Sequence, residues 1–363
     1  MKKIFYLLYA VLFKIYRLFP VKENRISLVS PHNSSFNDSL KFIKEEFENR
    51  GDFEFNFMSS AQLKSVKSLF GLFFKNAYLV ATSRFVFLND NFMPFANVTF
   101  AKETKVVQLW HGQGAFKKFG LDSNLKEEER ALAKKCAEKY DYIAVSSENV
   151  KQIYMSAFGV GDEKIIVTGI PDSDYFYNSD SKNVFRKKCN IPSSKKIVLY
   201  APTFRENMED DVKITERFNI EEFAKELGED YVLAVRLHPQ VHTKKAFENA
   251  VDATDYPDVN EIIIDSDILI TDYSSICMEF SMLDKPILFY AYDLEKYKMQ
   301  RDFYFDYEEY VPGKICKSFE ELVSSIKNND FGKEKNENFK KFNFSFFDGK
   351  SSKRVVDFLL SVH

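Results

Sequence analysis

The stretch VQLWHGQGAF, residues 107–116, places a histidine beside two glycines at the end of an apolar run. An imidazole titrates near neutral pH, so His111 could act as a general base that takes a proton from an attacking hydroxyl. Gly112 and Gly114 carry no side chain and would let a substrate approach the backbone closely. The alternative is a core histidine that only satisfies its surroundings next to Trp110.

A second cluster lies in LITDYSSICMEF, where Asp272, Ser274 and Ser275 stand between a buried-type strand and a helix. Free backbone N–H groups and hydroxyls at a helix N-terminus favour a phosphate group. Asp272 or either serine could instead simply cap the helix. Glu279 follows one turn later, on the helix face expected to turn toward a bound nucleoside; its alternative is a solvated surface carboxylate.

Two further strand-like runs end in polar residues, VRLHP and YAPTFRE. Arg236 and His238 offer a cation and an imidazole, which suit a diphosphate that gains charge on its leaving group. Thr203 and Arg205 add donors that we expect at the same rim. The LHP motif taken alone could also mark no more than a turn.

These clusters need a frame that brings strand ends together. Short hydrophobic runs alternate with helical patterns, first in RISLVSP, FEFNFMSS, RFVFLND, KVVQLW, YIAVSS and KIIVTGI, and again in IVLYAPTF, YVLAVRLHP, EIIIDSDILIT and PILFYAY. This order predicts α/β units with mostly parallel sheets. We predict a helix at 1–20, an N-terminal domain at 21–175, a C-terminal domain at 176–345 and a C-terminal helix at 346–363, with ligands bound at the carboxyl ends of both sheets.

Composition narrows the function. The 363 residues suit two domains, and the formal net charge of −3 makes nucleic acid an unlikely partner. Four cysteines lie far apart, without a metal-ligand spacing, which fits a reducing cytoplasm. The sequence DSD occurs at Asp172–Asp174 and Asp265–Asp267; we interpret both as turn or capping acids and predict no metal site.

The first twenty residues, MKKIFYLLYAVLFKIYRLFP, are apolar and basic. The uninterrupted run from Ile4 to Phe13 is half as long as a spanning helix requires, and no small-residue cleavage site follows it. As a helix, the segment has one apolar stripe beside lysines and arginines that can reach anionic headgroups. The stripe comprises Ile4, Leu8, Val11, Ile15 and Leu18. We predict a helix lying on a membrane surface, with a plain core helix as the alternative.

The chain resembles the CDP-glycerol glycerophosphotransferases of teichoic-acid synthesis in six motifs that occur in family order. They are VVQLWHGQGAFKKFGL, VTGIPDSDYF, VLYAPTFRE, RLHP, SDILITDYSSICMEFSMLDKPILFYAYDLEKY and FDGKSSKR. They are spread along the chain from residue 106 to residue 354, so the resemblance covers most of it. The closer likeness is to the short primase type, which adds the first glycerol phosphate to a lipid-linked disaccharide.

The resemblance implies a GT-B-like fold, in which two Rossmann-like domains face a central cleft. It implies that His111 is the catalytic base on the acceptor side and that His238, also catalytic, belongs to the CDP-glycerol diphosphate site. The other members of that site would be Thr203, Arg205, Arg236, Ser274 and Ser275. Asp272 and Glu279 would orient the donor's loop and ribose.

The implied partners are CDP-glycerol or CDP-ribitol and an undecaprenyl-diphosphate-linked glycan acceptor, at the cytoplasmic face of the cell membrane. No cofactor is implied. From its length we expect a primase without the extra domains of the long polymerases; a short relative that polymerises, uses CDP-ribitol or serves capsule synthesis is the alternative.

Two other functions use the same features. A GT-B glycosyltransferase would move a sugar from a nucleotide-sugar, and an inert membrane-surface scaffold would only bind nucleotide.

The loop SPHNSSFND, with His32, Asn33 and Ser35, could contact the acceptor or cap the next helix.

Overall fold

The computed structural model describes residues 2–31, 38–59, 71–177, 182–205, 208–238, 241 and 247–362. His32, Asn33, Ser35 and Pro239, named by the sequence motifs, lie outside this range. The chain divides into two compact units. Unit 1 is Met1–Asp174 with Asn343–His363, and unit 2 is Tyr175–Phe342.

Unit 1 is built on a six-stranded sheet in which every pairing is parallel. Its strands are β1 (Lys22–Ser30), β2 (Glu54–Ser59), β3 (Ser83–Leu88), β4 (Lys105–Gln108), β5 (Tyr142–Val145) and β6 (Ile165–Val167), in the order β2-β1-β3-β4-β5-β6. The chain moves to one side of β1 and then to the other, so the topological switch point lies between β1 and β3. Ligands of open α/β sheets bind outside the carboxyl ends at such a point.

The helices of unit 1 begin and end at ordinary sequence signals. They are α1 (Lys2–Tyr16), α2 (Ser39–Glu48), α3 (Ala77–Ala81), which continues a π-helical turn (Gly71–Asn76), α4 (Glu127–Ala137) and α5 (Lys151–Phe158), with 3₁₀ turns at Met93–Asn97, Gly120–Asp122 and Asp162–Lys164. Asp38 caps α2 by accepting from the Leu40 N–H, and Gly159 ends α5 in a left-handed conformation that suits glycine.

The C-terminal helix (Ser351–Ser361) packs into unit 1 although the whole of unit 2 precedes it in sequence. Val355, Val356 and Leu359 are fully buried in the core formed around β1, β3 and α2. Its N-terminus is capped by Asp174, whose carboxylate accepts from the N–H groups of Ser351 and Ser352, both at 2.8 Å. The first DSD motif therefore supplies a cap.

Helix α1 has two unlike faces. Tyr9 and Phe13 are fully buried against aromatic rings of the segment 92–100. The stripe that the sequence predicted, Ile4, Leu8, Val11, Ile15 and Leu18, is at least 50% exposed at every position. Nowhere in the described ranges does a helix combine the length and apolar character needed to cross a membrane.

Unit 2 repeats the architecture with a second, wholly parallel six-stranded sheet. Its strands are β7 (Lys196–Ala201), β8 (Tyr231–Val235), β9 (Val251–Asp252), β10 (Ile268–Thr271), β11 (Ile287–Tyr290) and β12 (Lys314–Cys316), in the order β12-β11-β10-β7-β8-β9. Its switch point lies between β7 and β10.

The helices of unit 2 flank this sheet. They are α6 (Val184–Lys188), α7 (Met208–Arg217), α8 (Ile220–Leu227), α9 (Val259–Asp265), α10 (Ile276–Met282), α11 (Leu294–Gln300), α12 (Tyr307–Tyr310), α13 (Phe319–Lys327) and α14 (Glu334–Asn343). A 3₁₀ segment, Pro171–Tyr177, crosses the boundary between the units.

One predicted strand is wrong in part. The run EIIIDSDILIT is predicted to be one strand, but its first three isoleucines lie in α9 and only Ile268–Thr271 form β10. Asp258 caps α9 by accepting from the Asn260 N–H, and this local bond starts a helix despite the β-branched residues. Asp265, in the second DSD motif, accepts from the N–H groups of Asn183 and Arg186 at the start of α6, so this acid also caps.

Candidate active site

His111 lies three residues beyond β4, at the carboxyl edge of the unit 1 sheet. Its Nδ1 is 3.2 Å from Oδ2 of Asp90, which follows the neighbouring strand β3. The imidazole is 53% exposed and the Asp90 side chain only 15%. A mostly buried carboxylate thus lies beside a half-exposed imidazole.

The backbone before His111 is strained. Trp110 has φ +57°, a left-handed conformation that is unusual for a bulky residue. Its N–H donates to Oε1 of the buried Gln108 at 2.8 Å. The indole stacks on Phe119 at 5.2 Å and meets Phe158 edge-on at the same distance. Packing on two sides keeps the turn in a conformation that would not persist alone.

The two glycines of the loop have different requirements. Gly114 has φ +61°, and its N–H donates to Oγ of Ser146 at 3.0 Å, so the turn itself calls for glycine. Gly112 has no such requirement, because a methyl group there would make only an ordinary contact of 3.7 Å with the Trp110 indole. Its carbonyl accepts from the Tyr154 hydroxyl at 3.0 Å. The fold around residue 112 therefore has room for a small side chain.

Asp90 was not among the residues that the sequence predicted for the site. It stands in RFVFLND, directly beyond a strand that borders the switch point. Asn89 beside it donates to Ser30 at 2.9 Å and to Asp38 at 2.6 Å, which ties this loop to β1 and α2. The sequence signal that could have found Asp90 is an acid directly after β3, the strand that pairs with β4 before His111.

In unit 2, the guanidinium of Arg205 joins three loops that follow adjacent strands. Its Nε and Nη2 donate to Asp293, beyond β11, at 2.7 and 3.0 Å. Its Nη1 donates to the Thr203 carbonyl at 2.6 Å and lies 2.9 Å from Oδ2 of Asp272, beyond β10. Oδ1 of Asp272 in turn accepts from the Thr203 N–H at 2.8 Å. The network spans the switch point between β7 and β10.

Arg205 is almost entirely buried, at 6% exposure. Burial by itself would lower the pKa of its guanidinium, but the carboxylates of Asp272 and Asp293 outweigh burial and hold the pKa above its usual value. The rings of Tyr273 and Tyr297 lie 5.1 and 5.4 Å from the guanidinium. The direct diphosphate contact predicted for Arg205 does not fit these bonds, since its donors are engaged by protein oxygens.

His238 lies three residues beyond β8, half-buried, with its ring 4.6 Å from that of Phe204. It therefore lies against the loop that carries Thr203 and Arg205. Arg236 points elsewhere: its Nη1 donates to the carbonyls of Ala253 and Tyr256 at 2.9 and 2.8 Å. Burial lowers the pKa of Arg236. The structure makes Arg236 a support for the segment that follows β9.

The start of α10 carries the remaining predicted residues. The Ser274 hydroxyl accepts from the Ile276 N–H at 3.4 Å, and the exposed Ser275 makes no side-chain capping bond. The buried Thr203 Oγ1 is without a hydrogen-bond partner in the described part of the chain. These hydroxyls are available to a ligand.

Glu279 is half-buried in α10, and burial raises the pKa of its carboxyl to about 7. The alternative reading of a solvated surface carboxylate is therefore wrong. Within the described ranges, no cation pairs with Glu279, in contrast to Asp272 and Asp293.

Residues 11–361 match the protein family described as CDP-glycerol:poly(glycerophosphate) glycerophosphotransferase. The teichoic acid poly(ribitol-phosphate) polymerase of Bacillus spizizenii is 32% identical over 356 residues, which are 95% of this chain and 57% of the polymerase. The teichoic acid glycerol-phosphate primase of Bacillus subtilis is 31% identical over 359 residues, which are 93% of this chain and 92% of the primase. The chain thus spans little more than half of the first relative and nearly all of the second.

Solved structures of the wall teichoic acid polymerase TagF are similar in fold. One histidine variant has a TM-score of 0.83 at 24% identity, covering 98% of this chain and 94% of that one. Another, soaked with CDPG, has a TM-score of 0.81 at 23% identity, covering 98% and 93%. This likeness confirms the predicted GT-B-like α/β class with two Rossmann-like units.

Proposed function

Since this chain belongs to the CDP-glycerol:poly(glycerophosphate) glycerophosphotransferase family, we propose that it transfers glycerol phosphate from CDP-glycerol to a hydroxyl of an undecaprenyl-diphosphate-linked disaccharide, releasing CMP. The chain is accordingly an enzyme of teichoic-acid synthesis, a transferase. The observation that supports the chemistry is the half-exposed imidazole of His111, set at the carboxyl edge of a parallel sheet.

In the proposed step, His111 accepts the proton of the acceptor hydroxyl. The oxygen attacks the phosphorus that bears glycerol, and a new P–O bond forms. The P–O bond to the CMP phosphate breaks, and CMP leaves with the electron pair. A positioned general base of this kind contributes typically ~10²–10⁴ in rate.

The donor site that we propose lies in unit 2, around the loops that Arg205 joins. Ser274, Ser275 and the unpartnered Thr203 hydroxyl are donors for the diphosphate, with His238 beside them. Glu279 and the Asp272 loop would face the ribose. The family description and the CDPG-soaked TagF structure support a CDP-alcohol as the donor.

The primase assignment is supported by the match to 92% of the glycerol-phosphate primase. A polymerase using CDP-ribitol is the second candidate, because the poly(ribitol-phosphate) polymerase is similar over 95% of this chain. The two candidates differ in donor and in the number of units added, so product analysis separates them.

The exposed stripe of α1 supports a position on the cytoplasmic membrane surface. Lys14 and Arg17 lie beside Val11 around a groove of about 300 Å³, and α1 contains no acidic residue. Apolar side chains between cations suit an interface with anionic lipid. Substituting glutamate at Leu8 and Val11 should abolish cosedimentation with phosphatidylglycerol vesicles. Met299→Glu, at an apolar residue of unit 2 that is 80% exposed, is the matched control and should bind as wild type does.

The function is tested by mass spectrometry of products after the purified protein is incubated with CDP-glycerol and a short-chain lipid-linked ManNAc–GlcNAc disaccharide. One added glycerol phosphate per acceptor, with equimolar CMP, is the expected result. Long products, or addition only from CDP-ribitol, would replace the primase assignment by the second candidate. Transfer from UDP- or GDP-sugars alone would contradict the phosphotransferase assignment.

A further inference from the structure

We propose that Asp90 is a positioning residue that holds His111 in the one tautomer able to accept the acceptor's proton. The inference rests on the proposed role of His111 as the base. In this arrangement the Asp90 carboxylate accepts a hydrogen bond from the Nδ1–H of His111, which leaves the lone pair of the imidazole on Nε2.

The distance between the two groups suits such a role. The separation of Nδ1 from Oδ2 is 3.2 Å, and the carboxylate is far less exposed than the imidazole that it faces. Among the described residues, Asp90 is the only one whose carboxylate lies within 4 Å of a ring nitrogen of His111. A neutral imidazole carries one N–H, so the partner of one nitrogen decides whether the other can accept a proton.

Two features of the fold produce this contact. Leu88 and Gln108 are paired across β3 and β4, so Asp90 and His111 leave neighbouring strands two and three residues beyond a matched pair. The left-handed turn at Trp110 then redirects the chain. A non-glycine residue is strained in that conformation, and here the bond to the Gln108 side chain and the aromatic packing offset the strain.

The contact also serves the charge that develops during transfer. When Nε2 takes the hydroxyl proton, the ring becomes an imidazolium and its bond to Asp90 becomes charge-assisted on both sides. The carboxylate thus orients the base before the reaction and stabilises its charged form afterwards.

The first measurement is steady-state CMP release by full-length Asp90→Asn with CDP-glycerol and the lipid-linked disaccharide. We expect kcat to fall by about 10²-fold or more, because the amide no longer enforces the tautomer, while the KM for CDP-glycerol stays within about twofold. Asp122→Asn is the matched control: this carboxylate of the same unit accepts from the Ser156 hydroxyl at 2.6 Å, and its loss should leave kcat unchanged. Wild-type kcat in Asp90→Asn would overturn the proposal.

The second measurement is ¹⁵N NMR of histidine-labelled protein, with His111 assigned from the signal lost in His111→Ala. In the wild type we expect neutral His111 to carry its proton on Nδ1, and in Asp90→Asn a mixture of tautomers. A wild-type proton on Nε2, or a loss of activity in Asp90→Asn without a change of tautomer, would overturn the positioning role. The tautomer seen in the wild-type spectrum tests the proposal even if Asp90→Asn does not fold. If His111→Ala kept its turnover, the proposed base would fail while the spectra still decided the role of Asp90.

Discussion

The two strand-edge clusters hold their polar side chains in opposite ways. In unit 1, His111 is half exposed and faces one carboxylate, that of Asp90. In unit 2, Arg205 is buried and fixed by bonds to three residues on three loops. An exposed imidazole can gain or lose a proton with little structural change, whereas a buried ion network resists change. The comparison is consistent with the proposed proton transfer at His111 in unit 1, whereas the Arg205 network in unit 2 holds loops in place.

The largest effect should follow removal of the base. His111→Ala should lower kcat for CMP release by ~10²–10⁴, because it removes the side chain that we propose as the general base. CDP-glycerol affinity, measured by calorimetry, and the melting temperature should both stay near wild type, since the side chain is exposed. Turnover at the wild-type rate would contradict the proposed role of His111 as the base in unit 1.

The next effect tests the other side of the comparison. Arg205→Met leaves Asp272 and Asp293 buried without their cation, and breaking such a pair costs about 3–5 kcal/mol. We expect the free energy of unfolding of unit 2, measured in urea, to fall by about this amount, with activity falling alongside.

Arg217→Ala is the control for Arg205→Met. Arg217 also lies over a tyrosine, 5.2 Å from the ring of Tyr292, but it is exposed. Its loss should change the unfolding free energy by less than about 1 kcal/mol. Equal costs for the two substitutions would show that burial of the Arg205 network contributes nothing particular.

Glu279 allows a second comparison within unit 2. Among the described residues no cation pairs with its carboxyl, whereas Asp272 and Asp293 both pair with Arg205. With the pKa raised to about 7 in the folded state, folded Glu279 keeps a proton that the unfolded carboxyl releases above its ordinary pKa of 4.5. Stability is therefore lost as pH rises through this window. Glu279→Gln should raise the free energy of unfolding at pH 8 by on the order of 1–2 kcal/mol and leave it unchanged at pH 4.

Urea titrations at both pH values check this expectation. Glu295→Gln is the control, since that carboxylate is 86% exposed and its removal should alter neither value. A stabilisation by Glu279→Gln that did not depend on pH would contradict the raised pKa.

The smallest effect concerns the loop of unit 1. Gly114→Ala should lower the free energy of unfolding by about 1 kcal/mol, because alanine disfavours the left-handed φ of this residue. Gly112→Ala should leave stability unchanged and impair only ligand binding or turnover. Thermal unfolding with parallel CMP-release assays separates the two; a stability loss at Gly112 would place its role in the fold.

Much of the fold was readable in the sequence. The alternation of short apolar runs and helical patterns gave two parallel sheets, because hydrophobic period and turn residues act locally. The boundary of α9 was not readable, since a capping bond from Asp258 overrides the strand preference of three isoleucines. The placement of the C-terminal helix in unit 1 also could not be derived, because it depends on contacts across 177 residues, between Asp174 and Ser351.

The candidate site was readable where one residue type carries the signal. His111 stood out by its type and its glycines, and the structure places it at a strand edge. The acidic partners of these residues were harder to predict from the sequence. Asp90 and Asp293 are ordinary acids that follow strands, and only the sheet order brings them to His111 and Arg205. The same strand order explains why Arg205 and Arg236 bind protein oxygens, because the loops beside these strand ends present carboxylate and carbonyl groups to them.

The return of the chain to unit 1 has a consequence for biosynthesis. Unit 2 is one continuous stretch of sequence, so all of it leaves the ribosome before Val355, Val356 and Leu359 are translated. Unit 1 waits through that interval with a gap in its core where these side chains belong. Translation order therefore allows unit 2 to fold before the core of unit 1 can be completed.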